Sequence, residues 1–275
     1  ASLKGALNDI ASAGVDVEIH VDAFDLKAAP KLIPKFFTDN QLNLDGTAVV
    51  DIDYQGPLGN PEDADIRFSA YLKNASLTSG KLNQNASGLT GRVNYRRDNL
   101  SWEGLHATFD QKDYLVTGKL TDFKHPAIET TLSSKDLKVT TRFEYTPELI
   151  RFAKLTGAYG LTGFNLRGTS QSKLSGKPLL NFQGEVGLNL EDLPRFIPDG
   201  KKALEPYQLS GIVNIKGEFK GDAVHWQDWQ YNLTGESPLF SIWGVKLKNM
   251  KFNAAQKNNL LKPLRLWGEF YDGDL

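Results

Sequence analysis

The sequence predicts an all-β fold, a meandering antiparallel sheet with two or three short helices. Three observations carry this. Apolar and polar residues alternate with period two in run after run, turn signals separate the runs, and the strand–helix alternation of doubly wound nucleotide-binding folds is absent.

Val15, Val17, Ile19, Val21 and Ala23 alternate with Asp16, Glu18, His20 and Asp22, a strand with one buried and one wet face. A short or kinked helix follows near residues 26–38. Leu26, Ala29, Ile33 and Phe37 share a helical face there, while Pro30 and Pro34 forbid one long regular helix. Alternation returns at Ala48, Val50, Ile52 and Tyr54, at Ile66, Phe68, Ala70 and Leu72, and at Val139, Thr141, Phe143 and Tyr145. Residues 147–155 read as a third helix, with Pro147 at a first-turn position ahead of Glu148. Segment 192–204 has the Pro-containing character of 26–38, and Val213, Ile215 and Phe219 form a further stripe around Gly217. Gly56-Pro57, Asn60-Pro61, Arg97-Asp98-Asn99, Lys124-His125-Pro126 and Gly176-Lys177-Pro178 supply turns between them.

The two Pro-containing segments expose an internal repeat. Asp25-Leu26 and Asp192-Leu193 open them, Ile33-Pro34 and Ile197-Pro198 sit within them, and Leu44-Asp45-Gly46 and Leu209-Ser210-Gly211 open the strands that follow. Leu72-Lys73-Asn74 also matches Leu247-Lys248-Asn249. The expectation is one elongated repetitive unit over 1–275, with copy one at about 15–165 and a truncated copy two at about 180–275. The chain starts at Ala1 and its one Met is Met250, so it reads as a piece of something longer whose cut ends expose sheet edges able to associate.

Composition excludes several classes of function. With 32 Lys+Arg against 33 Asp+Glu, the net charge of −1 leaves no electrostatic footprint for nucleic acid or for anionic lipid headgroups. Zero Cys excludes a disulfide scaffold, a thiolate nucleophile and Cys-ligated metals. His20, His106, His125 and His225 are scattered, with no metal-ligand spacing, and no nucleophile elbow or phosphate loop occurs. Asp51/Asp53, Glu62/Asp63/Asp65 and Arg92/Arg96/Arg97 read as solvated surface rather than as acid–base, calcium or nucleic-acid sites. Asn74, Asn85, Asn99 and Asn232 open sequons that matter only in a glycosylating pathway. No enzyme, cofactor or metal is expected. What remains is the apolar stripes, either the core of a closed sandwich or the wall of an open groove, and pattern alone cannot separate the two.

The order of these motifs resembles the AsmA-like family of bacterial envelope proteins, including its TamB type. The resemblance rests on a strand ending Asp-Leu, a Pro-containing helix and a Leu-x-Gly strand, in two copies. The stretch Leu89-Thr90-Gly91 through Leu100-Ser101-Trp102-Glu103-Gly104-Leu105, then Val116-Thr117-Gly118-Lys119-Leu120, Pro126 and Ser134-Lys135-Asp136-Leu137, is also similar. The resemblance implies an elongated, strongly curved sheet, a taco or groove with an apolar inner face. It further implies a periplasmic location, a parent chain anchored in the inner membrane, and carriage of phospholipid acyl chains towards the outer membrane. The wall expected to touch lipid comprises Val17, Ile19, Val21, Val50, Ile52, Ile66, Phe68, Val213, Ile215 and Phe219. Two other classes stay open: a closed β-sandwich that binds carbohydrate or mediates adhesion through Trp102, Trp226, Trp229, Trp243 or Trp267, and an outer-membrane barrel, which alternates faces in the same way.

Overall fold

Period-two sequence becomes strand nearly everywhere. The computed structural model describes residues 1–9, 14–32, 38, 41–57, 63–80, 84–97, 99–109, 111–123, 125–146, 148–171, 178–196, 200–222, 229–257 and 260–270. Two compact units divide the chain, Ala1–Lys135 and Asp136–Leu275, a boundary different from that of the sequence repeat. The first unit contains β1 (Ser2–Asp9), β2 (Gly14–Asp25), β3 (Leu42–Pro57), β4 (Asp65–Ser79), β5 (Gln84–Arg96), β6 (Asn99–Phe109), β7 (Lys112–Thr121) and β8 (Ala127–Ser133). The second contains β9 (Leu137–Tyr145), β10 (Leu149–Tyr159), β11 (Thr162–Gln171), β12 (Leu179–Asn189), β13 (Ser210–Asp222), β14 (Gln230–Ile242), β15 (Val245–Lys257) and β16 (Leu260–Phe270). Within each unit every strand pairs antiparallel with its sequence neighbours, and the order is an open meander.

The two Pro-containing segments form short helical connections, as expected. Leu26–Ala28 and Ala29–Leu32 join β2 to β3, and residues 33–37 of the predicted helix lie outside the described residues. Asp25 caps the first turn by accepting from the Lys27 N–H at 3.0 Å, and Leu26 drops into the first unit's apolar cluster beside Ala48, Val50 and Ala70. Leu193–Arg195, Gly200–Leu204 and Glu205–Tyr207 join β12 to β13, and Leu193 packs likewise on Leu190, Val213 and Met250. Each Asp-Leu pair thus plugs one end of an apolar face with its leucine.

The third predicted helix is a strand. Residues 149–159 form β10, and the Thr146 N–H donates to the Leu149 carbonyl at 2.8 Å, closing a hairpin with β9. Pro147, where the predicted helix began, lies outside the described residues, and Ile150 and Phe152, paired with Tyr145 and Phe143, favour the strand by cross-strand packing.

A second correction concerns Ala23, which is exposed. One residue is inserted in β2 between Val21, opposite Val50, and Phe24, opposite Ala48, so Phe24 turns inward in place of Ala23. The same insertion recurs on successive strands: at Asn74 in β4, Gly88 in β5 and Gly104 in β6, whose φ values of 49°, 64° and 57° are left-handed. Bulges bend a strand and increase its twist, so this row of insertions creases the first unit across β2 to β6. Leu72-Lys73-Asn74 and Leu247-Lys248-Asn249 share this device, since both Asn residues sit at φ 49° beside a register shift.

Candidate functional site

Residues directly opposite on neighbouring strands share a face, so register alone assembles the wall. In the first unit one row runs Ile19, Ile52, Phe68, Tyr95, Leu100, Leu120, Ile128. Beside it run Val21, Val50, Ala70, Val93, Trp102 and, on the other side, Val17, Tyr54, Ile66. Seven of the ten predicted wall residues therefore share one face here. The other three, Val213, Ile215 and Phe219, share a face in the second unit, opposite Leu188, Val186 and Phe182. Val50 and Val213 are buried, whereas Val17, Ile19, Val21, Ile52, Ile66, Phe68, Ile215 and Phe219 are half-buried. Ile52 and Phe68 lie on interior strands, where the core of a closed sandwich would be fully covered. Both pack against the buried cluster of Leu26, Ala48, Val50 and Ala70 while keeping part of their surface accessible.

The second unit adds a feature that periodicity did not reveal. Phe143, Phe152, Phe182, Phe219 and Trp229 form a continuous aromatic ladder, with successive ring centroids 5.6, 5.4, 5.7 and 5.1 Å apart. Phe152 and Phe182 are separated by β11, and they meet because Gly168 lies between them. A Cβ at Gly168 would run into the Asn181 carbonyl and the Phe182 ring. Trp229 lies flat over Gly221, and its indole N–H donates to the Asp222 carbonyl at 2.6 Å. The readable signal was the alignment of Phe with Gly on adjacent strands, visible only once register is known.

In each unit the opposite face carries the polar residues. In the first, Asp65 is held by Arg67, Arg96 and Arg97 at 2.9, 3.2 and 3.6 Å, and in the second Lys216 bridges Glu185 at 3.0 Å. The Asp65 carboxyl is therefore kept below the usual carboxylate range, first by its hydrogen bond from Arg67 and then by Arg96. Asp65 of the acidic run and Arg96 and Arg97 of the basic one thus meet here as ion pairs. Among the described residues no group of three or more His, Cys, Asp or Glu could hold a metal ion.

His20, on this face, sits between Asp51 (Nδ1 to Oδ1, 2.6 Å) and Asp22 (Nε2 to Oδ1, 2.9 Å). Hydrogen bonding to Asp51, then to Asp22, raises its pKa above the ordinary histidine value, and His20 lowers that of Asp22. A raised histidine pKa stabilises the fold fully below about pH 6.5. That contribution disappears as pH rises through the raised, folded-state value. A histidine NMR titration is expected to place His20 above the unfolded-chain value, and Asp51→Asn to bring it back down. An unshifted His20 in the wild type would contradict the pairing.

The five tryptophans of the carbohydrate reading fall in different settings. Trp102 and Trp229 belong to the apolar faces, Trp243 stands at a turn tip, Trp267 is exposed on the edge strand β16, and Trp226 lies outside the described residues. No described helix is long and apolar enough to cross a membrane. Comparison with family models, curated proteins and solved structures found no match to this chain.

Proposed function

We propose that this chain is a segment of an AsmA-like lipid-transfer groove, whose apolar faces shield phospholipid acyl chains in the periplasm between inner and outer membrane. The observation that carries the reading is the half-buried apolar row through Ile19, Ile52, Phe68 and Tyr95, backed by a polar face. Along β3 the inward residues Ala48, Val50, Ile52 and Tyr54 span about 20 Å. That exceeds the roughly 15 Å half-thickness of a bilayer's hydrocarbon core, so one acyl tail fits along a strand. Each methylene shed from water against this surface contributes about 0.8 kcal/mol. The same attraction holds at every step along the wall, so movement needs neither catalyst nor cofactor within the segment.

The test is co-elution of a fluorescent phospholipid with the purified chain on size exclusion, after transfer from mixed micelles. Lipid is expected in the protein peak, with a marked loss for Phe68→Asp. A lipid-free peak for the wild-type chain would overturn the proposal.

A further inference from the structure

One end of the second unit is built from three connections, β10–β11, β12–β13 and β14–β15, which an up-and-down meander necessarily places together. Specific bonds tie them into one platform. The Asp192 carboxylate, on the β12–β13 connection, accepts from the Leu161 N–H at 2.6 Å and the Thr162 N–H at 2.9 Å. At the other side the Trp243 N–H donates to the Tyr207 carbonyl at 2.6 Å, and the two rings lie 5.5 Å apart.

The tips of this platform carry the wrong residues for water. Turn tips favour Gly, Asn and Asp, yet Leu161 is 71% exposed at the β10–β11 tip and Trp243 is 62% exposed at the β14–β15 tip. Trp243 also has φ 52°, a left-handed backbone that a bulky side chain adopts only at a cost. Phe196, on the connection between them, is exposed as well. Phe196 and Trp243 each rest one side on a tyrosine ring, Tyr159 at 5.4 Å and Tyr207 at 5.5 Å, yet both remain exposed.

We infer that this end is a membrane-docking rim, with Leu161, Phe196 and Trp243 inserting into the interfacial zone of a phospholipid bilayer. Separate protruding tips suit a fluid surface better than a shape-complementary protein pocket. A Trp–Tyr pair with one apolar and one polar end is the chemistry enriched where headgroups meet acyl chains. Exposed Lys201 and Lys202 stand on the same connection, where they can meet lipid phosphates. The rim is also continuous with the wall, because Leu193 of this connection packs on Val213 and Met250. The inference extends the groove reading by giving the wall a mouth at a lipid surface.

The test is sedimentation of the chain with vesicles of phosphatidylethanolamine and phosphatidylglycerol, compared with a Leu161→Ser/Trp243→Ser variant. Leu161 is exposed, and Trp243→Ser gives up the ring contact with Tyr207 but keeps the backbone bond to the Tyr207 carbonyl, so the variant is expected to keep the wild-type circular dichroism with at most a small fall in melting midpoint. Its vesicle affinity is expected to fall about tenfold or more, while its uptake of lipid from micelles stays unchanged. Equal vesicle binding by both proteins overturns the rim. Absence of vesicle binding by the wild type also overturns it and points to a protein partner at these tips. Loss of micelle uptake by the wild type counts against the groove instead, so the two failures are distinguishable.

Discussion

Asp192→Ala is expected to destabilise the second unit by roughly 3 kcal/mol, because it strips partners from three donors at once. The carboxylate is nearly inaccessible, at 6% side-chain exposure, and accepts from the Leu161 and Thr162 backbone N–H groups and from the Thr162 hydroxyl at 3.2 Å. Thr162 is itself buried and its hydroxyl accepts in turn from the Asn189 N–H at 3.1 Å, so the loss spreads through the network. Asp192→Asn keeps one acceptor oxygen without the charge and is expected to cost about half as much. Urea unfolding followed by tryptophan fluorescence measures both. A loss below about 1 kcal/mol for the alanine variant would show that the turn holds without this anchor.

The second large effect separates an open wall from a closed core. Val50 is 5% exposed and packs against Leu26, Ala48 and Ala70, so Val50→Asp buries a carboxylate with no partner. A loss of roughly 4 kcal/mol or more is expected. Ile52 lies two residues along the same stripe, yet it is only half-buried, at the margin of the same cluster. Ile52→Asp should therefore cost only about 2 kcal/mol, the burial lost by one aliphatic side chain, since its carboxylate can reach water. Melting curves for the two variants decide the matter. Equal, severe losses at both positions would mean that the stripe is a covered core.

Period two made the wall legible, because side chains at every second position must share a face and antiparallel register then aligns the stripes. It failed wherever a bulge inserted a residue. Asn74, Gly88 and Gly104 look in sequence like ordinary polar or turn residues, and nothing local announces that they shift the face; the insertion in β2 likewise hides Phe24 behind Ala23. The 147–155 segment failed for a related reason: Pro-Glu opens either a helix or a hairpin, and only pairing with β9 decides between them. Long-range pairs were out of reach altogether. Asp25 and Asp192 open the same motif, yet the first caps its own helical turn while the second anchors a turn 30 residues earlier in the chain. The His20–Asp51 pair, 31 residues apart, is invisible for the same reason.

The central claim is that one face of the sheet meets acyl chains, and site-specific photocrosslinking tests it most directly. A crosslinking side chain is placed at Ile52 or Phe68, which oppose one another on the apolar face, or at Asp53 or Arg67, which oppose one another on the polar face. Phospholipid is supplied from micelles, and adducts are identified by mass spectrometry. The account predicts lipid adducts from Ile52 and Phe68 and none from Asp53 and Arg67. Adducts of equal yield from both faces, or none from either, would contradict it.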